Sequence, residues 1–319
     1  MPMSLYADLP RQSFDSVSHM VEFYYSAKDS VYRVNQKTTD IRKLITQNIE
    51  RCAKKKDVYS RTLRDVQDRE KLKILGELLT ANIHAITQGI TTFEAENYYE
   101  ADLPRITIPL DPNSTPAENA QRYFKKYNKQ KRTFLALQDQ IKQNDSELAY
   151  LETLLAALAT CTDEADIEDL RDELFEQGFI KKRRKHKGLK QKKSKPLHYV
   201  SQDGFHIFVG KNNKQNDDLT LRFAENNDIW LHTKEIPGSH VIIQSRGKAV
   251  PDTTLHEAAN LAAYYSKAKN SSQVPVDYTA KRHVKKPSSA KPGMVIYDHY
   301  QTAYMTPDEG LVLRMQQES

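Results

Sequence analysis

The stretch Ile41-RKLITQNIERCAKKKDVYSRTLRD-Val66 decides how the N-terminal half must be read. Ile45, Cys52, Tyr59 and Val66 recur every seven residues within it, and Ile41 and Asn48 fall at the intervening d positions. Upstream, Val17, Tyr24, Val31 and Thr38 continue the a series, and Met20, Ala27 and Val34 the d series. An apolar spacing of alternately three and four residues keeps one seam of a helix dry, which is the pattern of a coiled coil. No proline interrupts it between Pro10 and Pro104. A second proline-free interval, between Pro116 and Pro196, repeats the pattern. Phe134, Ile141, Leu148 and Leu155 stand at a, with Leu137, Asn144, Leu151 and Leu158 at d. Its start is marked by Thr115 as N-cap, Pro116 at N1 and Glu118 at N3, a capping box. Two such helices in one chain fold back most simply as an antiparallel hairpin.

Between them the sequence changes period. ITTFEAENYY (90–99) and RITIPL (105–110) read as short strands and DPNSTP (111–116) as a turn, so a small β-containing subdomain is expected at the tip, near residues 70–118. TDEADIEDLRDELFEQG (162–178) reads as a short helix with acids in its first turn and Gly178 past its end. From Pro196 the runs HYVS, FHIFVG, LTLRF, HVIIQ, MVIY and TAYM read as strands, with Asp203-Gly204 as a hairpin turn. One helix interrupts them, expected to begin at Thr254 with Glu257 completing a second capping box. The expected fold class is α+β. A long antiparallel coiled-coil hairpin with a β-containing tip precedes a compact mixed α+β domain. The expected layout is a linker edge at 1–13, the hairpin at 14–180, a basic linker at 181–195 and the C-terminal domain at 196–319.

Composition narrows the function classes. The 319 residues are 28% charged and 38% hydrophobic, a low apolar share that suits long exposed helices. No window is apolar enough to cross a membrane, and the first thirty residues carry Arg11, Asp15, Glu22 and Lys28, so neither membrane insertion nor a signal peptide is expected. Cys52 and Cys161 are too few for a disulfide framework or a zinc site and suit a cytoplasmic location. The net charge of +6 is unevenly placed. Residues 1–180 hold 24 Lys/Arg against 29 Asp/Glu, and residues 181–195 hold 10 with no acid. Residues 196–319 hold 14 against 13, so the excess lies in the basic run.

That run, with Lys181, Lys182, Arg183, Arg184 and Lys185 at its head, is read as an RNA contact rather than a merely soluble linker. Asp228, Trp230 and His232 would share one face of a strand, followed by Lys234 and His240. Trp230 is either a core residue or a stacking platform, and the sequence leaves both open. Ser239 beside His240 lacks a nucleophile elbow, and one carboxylate with two separated histidines makes a poor metal site. Lys211, Asn212, Asn213, Lys214 and Asn216 form a polar run suited to phosphate, sugar or base edges, or an ordinary solvated turn. Arg282, His283, Lys285 and Lys286 form a second basic cluster near Tyr278 and Tyr297. No P-loop, dinucleotide fingerprint, HExxH or paired carboxylates occur. No catalytic residue, metal or cofactor is expected, and the chain is not read as an enzyme.

GELLTANIHAI, NAQRYFKKYNKQK, GKNNKQND, DIWLHTKEIPGSHVII, EAANLAAYYSKAKNSSQVPVDYT, RHVKKP and AKPGMVIYD together resemble the C-terminal two-thirds of bacterial NFACT proteins. The resemblance runs from about Phe14 and leaves the family's N-terminal domain outside this chain. It implies a ribosome quality-control factor. Members of the family bind the large ribosomal subunit with peptidyl-tRNA and recruit alanyl-tRNA for template-free alanine tailing of stalled chains. The coil tip would reach the stalk base of the subunit, and the C-terminal domain would be the RNA-binding module for tRNA and rRNA. The family's D-x-W-x-H motif falls on Asp228, Trp230 and His232. The resemblance also implies an alternative, because streptococcal members are described as fibronectin-binding surface adhesins that reach the cell surface without a signal peptide.

Overall fold

The computed structural model describes residues 13–161, 163–181, 194–288 and 290–317, with the side chains of 26–34 and of residue 317 also left aside. The basic-run residues Lys182, Arg183, Arg184 and Lys185 therefore lie outside the described residues. Two compact units result: Ile49–Ala149, and the remainder, up to Asn48 and from Tyr150 onward. Among the described residues no helix is long and apolar enough to cross a membrane.

Helix α1 (Val17–Asp65) and helix α3 (Pro116–Thr160) are the two heptad tracts. Within the Ile49–Ala149 unit they pair antiparallel, with Arg51 beside Glu147 (3.5 Å) and Lys56 beside Asp145 (3.0 Å), and past the end of α1 Arg69 lies over the Phe134 ring (3.7 Å). Cys52, Val66 and Leu137 are buried at the seam. Asn144, at a d position, donates from Nδ2 to the Cys52 carbonyl at 3.1 Å, a polar contact that only one register satisfies. At the start of α1 the heptad positions Val17, Met20 and Tyr24 are exposed, and among the described side chains the buried positions begin at Ile41 and Ile45. The capping box forms as expected: Glu118 accepts from Thr115 N (2.7 Å), and Thr115 Oγ1 accepts from Glu118 N (3.3 Å).

Helix α2 (Arg69–Ala81) follows a break in α1 and packs on a hairpin of β1 (Thr92–Glu96) and β2 (Arg105–Pro109), joined in the register Thr92↔Pro109. Leu78, Leu79, Ala95, Ile108 and Ala120 close a small core there.

In the other unit, α4 (Glu164–Glu176) opens on a capping box of Asp163 and Asp166 and ends at Gly178, whose φ is +78°. Lys37 pairs with Glu164, so the start of α4 is tied to α1. The C-terminal part is a six-stranded antiparallel sheet. Its strands are β3 (Leu197–Val200), β4 (His206–Val209), β5 (Ile229–Thr233), β6 (Val241–Gln244), β7 (Val274–Ala280) and β10 (Gln301–Met305). They lie in the order β10-β7-β5-β6-β4-β3, and a short pair of β8 (Val284–Lys285) and β9 (Ile296–Tyr297) stands apart. Helices α6 (Asp252–Tyr264) and α7 (Glu309–Gln317) cover one face over Leu231, Ile243, Leu261 and Val276. The other face buries Trp230 and Ile242 under Leu219, Ala224 and Val284.

Two local expectations are corrected and one strand is added. LTLRF is not a strand: it continues α5 (Asn213–Asp218) as a wide helical turn, Leu219–Phe223, closed by Ala224 N donating to Leu219 O at 2.9 Å. Leu219 and Thr220 are buried while Leu221 and Phe223 are exposed, a helical side rather than an alternation. Helix α6 begins at Asp252, and Thr254 and Glu257 form no capping box. Thr254 Oγ1 donates to Asp203 Oδ2 (2.8 Å), and Glu257 accepts from Gln202 N (3.2 Å), so the pair holds the β3–β4 turn instead. VPVDYTA, absent from the expected strands, forms the interior strand β7. Its proline stands just outside the β5 pairing, which ends at Thr233↔Val276.

Candidate nucleic-acid interface

Alternate residues of β5 lead from the core to the surface. Asp228, just ahead of the strand, is 1% exposed and Trp230 0%, whereas His232 and Lys234 are half-buried. The period of two thus places all four on one face, and each step outward changes the chemistry. Asp228 accepts from Ser245 N and Glu225 N, both at 2.8 Å, and so closes the turn before the strand. Trp230 stacks on His232 (5.8 Å between centroids) and meets the edge of His240 (5.2 Å) and the tilted ring of Tyr297 (4.8 Å). His240 shares a 2.8 Å hydrogen bond between Nδ1 and Thr220 Oγ1. Burial pushes the His232 imidazole down to about 4, and burial with the His232 ring nearby pushes His240 well below the ordinary range. Both rings are therefore neutral at pH 7.

At the outer end Lys234 Nζ lies 5.0 Å from the Tyr300 ring centre, and the buried carboxylate of Asp277 raises its pKa. Asp277 accepts from Tyr297 OH (2.8 Å) and Thr302 Oγ1 (2.6 Å). Tyr300 meets Tyr297 edge-on at 5.3 Å and is 44% exposed. From Tyr297 the surface continues through β8, where Val284 pairs with Tyr297, to the helical turn Lys281–His283. Arg282 and Lys285 are exposed there, and Lys286 is held by Asp217. The strip offers cations beside ring faces, the pairing that single-stranded nucleic acid uses for phosphates and bases.

The Lys211–Asn216 run is turned inward, which corrects the reading of it as a polar contact loop. Lys211, Asn212, Asn213 and Asn216 are each less than a tenth exposed. Lys211 Nζ bonds both oxygens of the buried Asp166 (3.0 and 3.2 Å), and Asn213 Nδ2 donates to Thr153 Oγ1 and Glu173 Oε1, each at 2.9 Å. Asn212 Oδ1 caps α5 through Gln215 N, and Asn216 Oδ1 accepts from His240 N at 3.0 Å. Lys214, half-buried, reaches Glu176 at 2.8 Å. A Cβ at Gly210 would stand 2.1 Å from Asn216 Oδ1, so only glycine admits this packing. The run thus clamps the sheet onto α3 and α4. Lys267 adds a contact to Glu152 at 3.0 Å.

Of the residues the sequence singled out, the structure brings Trp230, His232, Lys234 and His240 into one cluster. It sets Arg282, His283, Lys285 and Lys286 on the adjoining strip and leaves exposed Lys181 at the edge of the described residues. Asp228, Trp230 and His240 are too deeply buried to touch RNA directly. Asp277 and Tyr300 were not singled out. The signal for them, Lys234 and Tyr300 on neighbouring segments, appears only once β7 and β10 are aligned in register.

Comparison with known proteins finds two family models that match the chain. The family model for NFACT N-terminal and middle domains matches residues 1–194, and the model for the NFACT protein RNA binding domain matches 195–298. The Rqc2 homolog RqcH of Bacillus subtilis strain 168 is 43% identical over 305 residues, which are 95% of this chain and 53% of that protein. Its namesake in Streptococcus suis is 37% identical over 303 residues, 95% of this chain and 54% of that protein. The chain spans about half the length of these relatives. A solved structure of the C-terminal part of the fibronectin/fibrinogen-binding protein of Streptococcus suis superposes with a TM-score of 0.70 at 33% identity. The match covers 89% of this chain and 99% of that one.

Proposed function

The chain belongs to the NFACT family, and from that premise we propose that it is the RNA- and ribosome-binding part of a ribosome quality-control factor. It engages the large ribosomal subunit carrying peptidyl-tRNA and recruits tRNA for alanine tailing of stalled chains. Its role is binding and positioning rather than catalysis, and it requires no cofactor. The observation that carries the reading is the strip of Lys234, Tyr300, Arg282 and Lys285 on a domain whose sequence matches an RNA-binding family model. Arg282, Lys285 and the basic run beginning at Lys181 supply sequence-independent attraction. Lys234 with Tyr300, backed by His232, supplies the shaped contact, while Asp228, Trp230 and His240 hold its floor. The hairpin between α2 and α3, with Tyr98 and Tyr99 about half exposed, is the surface proposed to meet the stalk base and its rRNA. The working location is the cytoplasm, where ribosomes are.

Fluorescence anisotropy with labelled tRNA tests the strip. Arg282→Glu with Lys285→Glu should weaken binding roughly tenfold or more at low salt and reduce the salt slope by about two. Tyr300→Ala should cost roughly 1–3 kcal/mol of binding and leave the slope unchanged. Unaltered affinity in both variants would remove the strip from the site.

The likeness to a fibronectin/fibrinogen-binding protein favours a second reading, attachment to host fibronectin at the cell surface. Surface plasmon resonance against fibronectin at roughly 0.15 and 0.5 M salt separates the cases. Binding that survives the higher salt supports an adhesin, because attraction between exposed charges is largely screened there.

A further inference from the structure

We propose that His283, Asp298 and His299 form a binding site for a late first-row divalent ion of the zinc class. One ligand atom from each lies within 4.8 Å of the others. His299 Nδ1 is 2.8 Å and His283 Nδ1 3.3 Å from the same oxygen, Asp298 Oδ1. The two rings lie 4.7 Å apart. Around a tetrahedral ion with bonds of about 2.0–2.1 Å, neighbouring ligand atoms stand roughly 3.3 Å apart, so small side-chain shifts convert this triangle into a coordination shell. Two imidazoles and one carboxylate select Zn²⁺, Co²⁺ or Ni²⁺ over Mg²⁺ or Ca²⁺, which prefer oxygen.

The backbone holds the triangle in place. The buried Thr279 donates from Oγ1 to the carbonyls of Asp298 (3.1 Å) and His299 (3.0 Å). Asp298 N bonds His283 O at 3.3 Å, which ties the turn to the helical turn before β8. His299 has φ +50°, a left-handed conformation that few side chains adopt and that here points an imidazole at its neighbour's carboxylate.

Binding at the two Nδ1 atoms places each imidazole proton on Nε2. Arg282 Nε then gives up its 3.2 Å bond to His283 Nε2, while its Nη1 keeps Asn227 Oδ1 at 3.0 Å. Three protein ligands leave a position open to water or to an oxygen of a phosphate. The triad escaped the sequence reading because His283 and Asp298 lie fifteen residues apart and meet only through the β8–β9 pairing.

Zinc titration by calorimetry on the full chain tests the site. A second histidine pair, His198 and His206 at 2.9 Å, is first removed by His198→Ala with His206→Ala. In that background one zinc should still bind, and both His283→Ala and His299→Asn should weaken it at least tenfold. Asparagine suits the left-handed backbone at 299, and an unchanged thermal melt confirms the fold of that variant. Superimposable isotherms with and without these substitutions, or no zinc binding in the background, would overturn the proposal.

Discussion

Trp230 has no exposed surface, and its Nε1 is buried without a hydrogen-bond partner among the described residues. Its place is thus fixed by packing against His232, His240 and Tyr297. Trp230→Ala should lower unfolding stability by about 3–5 kcal/mol. Trp230→Phe discards the unpartnered N–H and should cost much less, with tRNA affinity unchanged; denaturant unfolding and anisotropy on the same samples check both. The neutral histidines add a pH signature. Unfolded, they titrate near 6.5; folded, His232 does so only near 4, and His240 lies well below 6.5. Their contribution to stability is complete above pH 6.5 and is lost as the pH falls toward 4, because the unfolded chain there binds more protons. Urea unfolding at pH 7 and pH 5 should show the loss, and His240→Gln should shrink the difference. That Asp228, Trp230 and His232 share a face was readable from strand alternation alone. That Lys211 and Asn213 are buried was not: their partners Asp166 and Glu173 lie 45 and 40 residues away.

Among the elements, α1 and α3 were the most readable, because a heptad and a capping box are local patterns. What failed depended on distant partners. LTLRF alternates like a strand, yet Thr220 is claimed by His240 from another segment. Thr254 and Glu257 have capping-box spacing, but the β3–β4 turn takes both side chains. The clamp on α4 gives an element-level prediction. Lys211→Ala leaves the buried Asp166 carboxylate without the Lys211 ammonium that bonds both its oxygens. It should cost about 3–5 kcal/mol by thermal or denaturant unfolding. Lys214→Ala, which removes a more exposed pair with Glu176, should cost under about 1 kcal/mol.

Across the whole sequence, the excess of positive charge lies in residues 181–195. The exposed Arg282 and Lys285 are distinct from the buried residues that anchor the sheet, so binding and stability can be separated by substitution. The sheet is also bound to α3 and α4 by Lys211–Asp166, Asn213–Glu173 and Lys267–Glu152. A chain cut by trypsin between 181 and 195 should therefore stay associated and co-elute on size exclusion at physiological salt. On the proposed function, the large ribosomal subunit is the partner to test. Cosedimentation of the chain with large ribosomal subunits carrying peptidyl-tRNA, at near-physiological salt, tests this directly. The account predicts that the chain pellets with the subunits and that Arg282→Glu with Lys285→Glu releases much of it into the supernatant. A folded chain that stays in the supernatant, or one whose pelleting ignores those two charges, would contradict it.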